Sequence, residues 1–330
     1  MKKVFAVLMA ILFVLTLAAC GGGSGSAGSS DDGYVMHLGF SPFALGSEYQ
    51  MMIHDQLVAQ SAERNIQLTI MSPEGDITTQ VTQVENMIAM GVDAILIYPV
   101  DQTAMTEVLI EARAQGIRVV VNDAMYMNPE AYDVLIEASA IDMGMVANQL
   151  LSDWIDETFP DAEPGTVEVA VFGLWLTEYW GLRSDVMVDI PSVNQKATVV
   201  QAFSPTAEHF MTEIPNYAHM LIQQHPNIAG ILSFTDGFAI MVDEVFLQYE
   251  LDFDRIGHFT VDRTDEGLAR IARSVDNEST IRGTAVPGLN IVAEMLDAVQ
   301  GLLDDRLDEN RIYPVAVIPV TPANVQELIG

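Results

Sequence analysis

The stretch Gln80-Val-Thr-Gln-Val-Glu-Asn-Met-Ile-Ala-Met-Gly91-Val-Asp-Ala-Ile-Leu-Ile-Tyr-Pro-Val-Asp101 decides the fold class. Its first half continues a segment opening at Asp76, in which Ile77, Val81, Val84 and Ile88 recur at helical spacing. Gly91 closes that segment in the way a glycine just past the last helical turn does. Ala94 to Tyr98 is then a short apolar run of the kind a buried strand shows, and Asp101 stands where it caps a helix over Gln102 to Gln115, closed by Gly116. Asp76 and Asp101 read as caps and nothing more. The next segment, Ala114-Gln-Gly-Ile-Arg-Val-Val-Val-Asn-Asp123, supplies another strand over Ile117 to Val121. Helix and strand alternating with tight breaks predict a parallel sheet covered on both faces.

The same grammar extends outward in both directions. Upstream, Val35 to Phe40 reads as a strand, Gln50 to Arg64 as a helix and Gln67 to Met71 as a strand. Downstream, after a break around Val134 to Ala140, strands are expected at Val167 to Phe172, Ala197 to Phe203, Ile228 to Phe234 and Ile256 to Asp262. Helices are expected at Trp180 to Asp189, Thr206 to Gln224, Gly237 to Tyr249 and Glu266 to Ser274. Two similar α/β lobes are implied, and Gly91 to Ile97 echoes Asn227 to Ser233 at comparable places in each half.

Composition narrows the function. The chain has 330 residues, 50% hydrophobic and 18% charged, as a folded globular protein does, with room for two domains. Lys plus Arg number 14 against 46 Asp plus Glu, a net charge of −32 that repels nucleic acids and anionic headgroups. The one cysteine, Cys20, permits no disulfide within the chain and no cysteine-based zinc cluster. The six histidines show no HExxH or other ligand spacing, so no metal is expected.

Lys2 and Lys3 precede an uncharged run from Val4 to Ala19, the pattern of a secretory signal. That run ends in Leu17-Ala-Ala-Cys20-Gly, which resembles the lipobox of bacterial lipoproteins. The resemblance implies a signal peptide over residues 1–19, lipidation of Cys20 and membrane anchoring. Residues 20–33 are a Gly/Ser tether that can bury nothing. Gly23 to Gly28 matches GxGxxG, but with no strand before it and no helix after it the match carries no nucleotide site.

With Gln80 to Asp101 and Ala114 to Asp123 as its most specific stretches, the chain from Tyr34 to Gly330 resembles the sugar-binding subunits of bacterial ABC importers of the ribose-binding type. Leu38-Gly-Phe-Ser41 followed by Gly46-Ser-Glu48 looks most like the galactofuranose-binding branch. The resemblance implies an α/β fold of two Rossmann-like lobes with parallel sheets, joined by three chain crossings, with the ligand in the cleft between them. One lobe would comprise residues 34–139 plus about 288–315, the other 140–287 plus about 316–330. It further implies an extracytoplasmic monomer without cofactor, which captures a neutral monosaccharide or related polyol by lobe closure and passes it to an ABC permease and its ATPase. A chemoreceptor is a further candidate partner.

Open parallel sheets bind ligands beyond the C-terminal ends of their strands. The tips here carry Ser41, Glu48 and Tyr49, then Tyr98, Asp123, Trp175, Thr235, Asp236, Asp262 and Arg263. Ionised acceptors hold hydroxyl protons and flat rings cover sugar C–H faces, so this set suits a neutral polyol. Asp123 and Asp262 match family positions that bind sugar hydroxyls. Arg183, in Gly181-Leu-Arg-Ser, lies where the family places a ligand arginine, although a salt bridge to Glu178 or Asp185 fits equally well. The family often has Arg after the first Asp, and here Ala124 stands there; Thr235 replaces a common Asn and Pro287 a common Gln, which argues against ribose itself.

GxSxG and P-loop motifs are missing from the sequence. An extracytoplasmic carbohydrate hydrolase remains the rival class, since carboxylate pairs can hide among so many acids. A binding protein for a nucleoside or signalling furanose is a nearer alternative. A sugar-responsive transcription regulator shares the fold but would need a DNA-binding module where the secretion signal stands.

Overall fold

A computed structural model describes residues 35–46, 48–206, 208–288, 290–307 and 311–329. The basic leader, Cys20, the Gly/Ser tether and its GxGxxG match lie outside the described residues. From Val35 onward the chain forms one unit built on two six-stranded sheets.

In chain order the elements are β1 (Met36–Ser41), α1 (Glu48–Glu63), β2 (Ile66–Ile70), α2 (Ile77–Met90), β3 (Ala94–Ile97), α3 (Gln102–Ala114), β4 (Arg118–Asn122) and β5 (Val134–Glu137). The second half runs α4 (Ala140–Thr158), β6 (Val167–Phe172), α5 (Glu178–Val188), α6 (Ile190–Val193), β7 (Ala197–Phe203), α7 (Phe210–Gln224), β8 (Gly230–Ser233), α8 (Asp236–Phe246), β9 (Gly257–Val261), α9 (Asp265–Arg273) and β10 (Ile281–Pro287). It closes with α10 (Ile291–Leu303), β11 (Arg311–Pro314) and β12 (Val317–Val320). Among the described residues no helix is long and apolar enough to cross a membrane.

Strand order is β11-β5-β4-β3-β1-β2 in one sheet and β12-β10-β9-β8-β6-β7 in the other, so the two halves match strand for strand. All pairings are parallel except that of β12 with β10. The echo of Gly91 to Ile97 in Asn227 to Ser233 thus falls on β3 and β8, which occupy equivalent slots. Both faces of each sheet are covered, which is why the strands read as nearly unbroken apolar runs. On the first sheet α2 and α3 bury Val84, Met87, Met105 and Leu109 on one face. On the other face α10 packs with α1, β3 and β4 through Val292, Met295, Leu296 and Val299. In the second half α4 packs on α5, β8, β9 and β10.

Among the described residues the chain passes between the sheets three times. It leaves β5 for α4 through Ala138 and Ser139, leaves β10 for α10 after Pro287, and leaves β11 for β12 through Val315 and Ala316. These passages lie side by side: Val315 N–H donates to the Glu137 carbonyl at 2.9 Å and Gly288 N–H to that of Ala316 at 3.0 Å. Gly288 holds φ +61°, and a Cβ there would stand 2.6 Å from Val315 Cγ1. A side chain at this point would meet both a disfavoured conformation and a steric block.

Several expectations need correction. The break around Val134 to Ala140 contains β5, and α4 follows it. Ile77 is exposed, and the inner face of α2 is Gln80, Val84 and Met87. The helix placed from Thr206 begins at Phe210, because the Thr206 N–H and hydroxyl are both taken by the Glu213 carboxylate in a turn. The helix placed over Gly237 to Tyr249 ends at Phe246. The caps are as read: Asp76 accepts from Thr79 N–H and Asp101 from Ala104 N–H, each at 2.7 Å, while Gly91 is left-handed at φ +68°.

Candidate functional site

Asp123 and Asp262 follow β4 and β9, equivalent strands of the two sheets. Each lies in the left-handed region, at φ +51° and +95°, a conformation that Asp tolerates better than most residues. Each also sends its N–H to the adjacent strand, Asp123 to the Ile136 carbonyl at 3.2 Å and Asp262 to that of Ala285 at 3.1 Å. The turn after β4 is braced by Gln102, whose Oε1 accepts from Tyr126 N–H at 2.9 Å. The Asp262 carbonyl accepts from the Thr284 hydroxyl at 2.8 Å. Two strained residues of one type, at matched strand ends, are the kind of feature that binding sites concentrate.

Arg183 joins them electrostatically. Its Nη1 donates to the Phe234 carbonyl at 2.7 Å, its Cζ sits 4.4 Å from the Phe234 ring centre, and its Nε is buried without a partner. Neither Glu178 nor Asp185 takes it: Asp185 accepts instead from the Trp175 indole N–H at 2.7 Å. Burial pushes the Asp123 carboxyl up to about 6, with Arg183 pulling it down and Asp262 pushing it up. Burial likewise raises Asp262 against the pull of Arg183. Tyr49, on α1, completes the group; burial, then Asp123 and Asp262, push its hydroxyl above the ordinary tyrosine value. Tyr98 lies beside it, 4% exposed, and burial, then Tyr49 and Asp123, push its hydroxyl above the ordinary tyrosine value. Asp123, Asp262, Arg183, Tyr49 and Tyr98 therefore act on one another as a single cluster drawn from both sheets.

The sequence reading missed Glu137. It ends β5 at the first passage between the sheets, is 5% exposed, and accepts from the Tyr179 hydroxyl at 2.5 Å through Oε1. Its Oε2 is buried without a partner. Burial first, then repulsion from Asp123, push its carboxyl up to about 7. Asn122, just before Asp123, is also buried with both amide atoms unpartnered. Unpaired polar atoms behind a strand end are costly unless a ligand or water meets them.

The start of α5 makes further contacts between the halves. Tyr179 meets Tyr126 edge-on with ring centres 6.2 Å apart, and Trp180 meets Phe43 edge-on at 5.7 Å. Together with the Tyr179–Glu137 bond, these tie the helix that follows β6 to the loops after β1 and β4 and to the end of β5.

Other expected residues have partners of their own, and of these Asp236 is also acted on by Asp262. Ser41 is fully buried and accepts from Gln80 Nε2 at 3.0 Å. Thr235 caps α8 through Phe238 N–H. Asp236 faces inward: Oδ2 accepts from Thr264 N–H at 2.9 Å and its hydroxyl at 3.0 Å, while Oδ1 accepts from Thr284 at 3.3 Å. Its carboxyl, pushed up to about 7 by burial and Asp262, braces the turn behind Asp262. Trp175 is 36% exposed, with its ring held over Gly173 and Gly181. Arg263 Nη2 reaches the Leu328 carbonyl at 3.5 Å. Glu48 is described only as the first residue of α1. Among the described residues no group of three or more His, Cys, Asp and Glu is arranged to hold a metal ion. A cavity of about 730 Å³, lined by Phe159, Glu168, His225 and Arg255, opens at the N-terminal ends of β6, β8 and β9, away from this cluster.

Comparison with known proteins gives a consistent picture. Residues 38–295 match the family model described as periplasmic binding protein domain. The ribose import binding protein of Bacillus subtilis (strain 168) is 25% identical over 242 residues, covering 73% of this chain and 75% of that protein. The crystal structure of a galactofuranose binding protein superposes with a TM-score of 0.74 at 17% identity, over 89% of this chain and 97% of the other. The periplasmic binding protein component of the arabinose ABC transporter from Shewanella sp. ANA-3, bound to L-arabinofuranose, gives 0.74 at 18% identity, over 89% and 94%. At such identities the structural likeness is one of fold.

Proposed function

The chain belongs to the periplasmic binding protein domain family, and on that premise we propose that it captures a monosaccharide or related polyol outside the cytoplasm and delivers it to an ABC importer. The observation that carries the reading is the pair Asp123 and Asp262, at equivalent strand ends of the two sheets and acting on one Arg183. Carboxylates accept strong hydrogen bonds from hydroxyls, and a ligand gripped from both sides holds the halves together. The names of the relatives, which bind ribose, galactofuranose and arabinofuranose, support the same ligand class.

In this reading residues 34–139 with about 288–315 form one lobe, 140–287 with about 316–330 form the other, and the three passages are the hinge. Ligand contacts come from Tyr49, Tyr98, Asp123, Arg183 and Asp262, with Trp175 on the rim, and no bond is made or broken. Cys20 carries a lipid, the Gly/Ser tether spaces the lobes from the membrane, and an ABC permease with its ATPase receives the closed form. Cys20→Ser then releases the protein from the membrane fraction; equal membrane association of the two forms overturns the anchor.

A thermal-shift screen of free pentoses, hexoses, deoxy sugars, polyols and nucleosides tests the binding, because a ligand specific to the native state raises its stability. The hit should also shrink the particle in X-ray scattering. Turnover of chromogenic glycosides, or no shift with any ligand of the screen, overturns the proposal.

A further inference from the structure

We propose that the ligand is a polyhydroxylated molecule carrying a protonated amine, and that Glu137, with Asp123, is the residue pair that selects the ammonium group. This rests on the binding reading above and names its ligand class more narrowly.

Three carboxylates, those of Asp123, Glu137 and Asp262, stand against one guanidinium, that of Arg183. Arg183 acts on the two aspartates, whereas the charge that acts on Glu137 is that of Asp123. The residue after Asp123 is a fully buried Ala124, which brings no charge to this side. The Asp123–Glu137 side of the cluster is therefore the one where negative charge is least compensated, and Glu137 holds on to its proton up to near neutral pH. Glu137 Oε1 is taken by the Tyr179 hydroxyl, while Oε2, in a side chain only 5% exposed, has no partner. The backbone N–H groups of Ala124 and Ala138 draw the two carboxylates down only in part, leaving Glu137 at about 7 and Asp123 at about 6.

A neutral hydroxyl donates one proton and brings no charge that would let both carboxyls ionise. An ammonium donates three and supplies the missing charge. It can donate to the unpartnered Oε2, its charge favours the ionised form of both Glu137 and Asp123, and ionised partners make such bonds about twice as strong as neutral ones. Binding an amine should also expel the proton that Glu137 holds near neutral pH, which binding a neutral sugar does not.

The test uses matched pairs on the mature protein at about pH 7: D-glucosamine against D-glucose, D-galactosamine against D-galactose, D-glucamine against D-glucitol, and the amino-deoxy analogue of any neutral hit. The expected result is one pair in which the amine binds at least tenfold tighter, with proton release seen as a buffer-dependent heat. Glu137→Gln, which keeps the carbonyl that Tyr179 bonds, should bring that amine down to the affinity of its neutral partner. A neutral sugar that binds as tightly as its amine analogue overturns this inference and leaves the binding reading intact. An amine preference that survives in Glu137→Gln overturns the assignment to Glu137. Binding of no member of any pair overturns both.

Discussion

Replacing Glu137 by Gln should stabilise the ligand-free protein, and only at the upper end of the pH range. Burial and Asp123 raise the Glu137 carboxyl from 4.5 to about 7. A carboxyl raised on folding is protonated in both states below about 4.5, where its favourable contribution is complete; that contribution is lost as pH rises through the folded value. At about 1.4 kcal/mol for each unit, the buried charge destabilises the native state by about 3 kcal/mol at pH 8. Part of that is shared with Asp123, which is coupled to it, so about 2 to 3 kcal/mol is the expectation for one substitution. Gln cannot ionise, has the same shape and keeps the acceptor for Tyr179. In a chain of this size about 2 °C accompanies each kcal/mol, so Tm should rise by about 4 to 6 °C near pH 8 and by almost nothing near pH 4.5. Calorimetric melts of both forms across that range, at constant ionic strength and without sugar, measure it directly. A shift that is the same at both ends, or a loss of stability at pH 8, would refute the account of Glu137 as a buried carboxylate held by Tyr179 and repelled by Asp123.

Other substitutions separate binding from folding. Asp123→Ala or Asp262→Ala should weaken sugar binding at least tenfold in calorimetry, since a bond to a charged acceptor contributes about 1.5 to 3 kcal/mol; wild-type affinity in both would overturn their role. Circular dichroism should show both variants folded. Asp243→Ala should destabilise by about 3 to 5 kcal/mol in urea titrations, because the fully buried Asp243 accepts from Arg270 at 2.8 Å and from Thr280 N–H and hydroxyl at 2.7 Å, and its loss leaves a buried guanidinium with one partner fewer. Gly288→Ala should lower the melting temperature and alter ligand-induced compaction, given φ +61° and the 2.6 Å approach to Val315; an unchanged scattering profile with and without sugar would show that this passage takes no part in closure. His258, buried and lowered to about 4 from 6.5, contributes stability that is lost as pH falls through that interval, whereas Asp123, Glu137 and Asp236 lose theirs as pH rises through about 6 to 7. Between about pH 4.5 and 7 the three raised carboxyls outweigh the one lowered imidazole, so the stability of the sugar-free protein is expected to fall as pH rises over that range.

What the sequence by itself determined is what short-range chemistry dictates. The apolar runs and helical spacings located most strands and helices, the Asp caps and closing glycines marked their ends, and the repeated order of elements led to two covered parallel sheets. Asp123 and Asp262 were legible for the same reason, since a polar residue directly after an apolar run marks a strand tip. Strand β5 was not, because its four residues carry no period of their own, and one of its neighbours, β11, lies far along the chain. Tertiary structure alone decided which tip residues meet. Arg183 had acidic neighbours on its own helix, yet its partner is the Phe234 carbonyl, and Asp236, a tip residue by sequence, is engaged by Thr264 and Thr284. Glu137 is the clearest instance: its raised carboxyl depends on burial, on Asp123 after the neighbouring strand and on Tyr179 from the other half of the molecule. Electrostatic coupling and desolvation act through distance in space, and the sequence lists only distance along the chain.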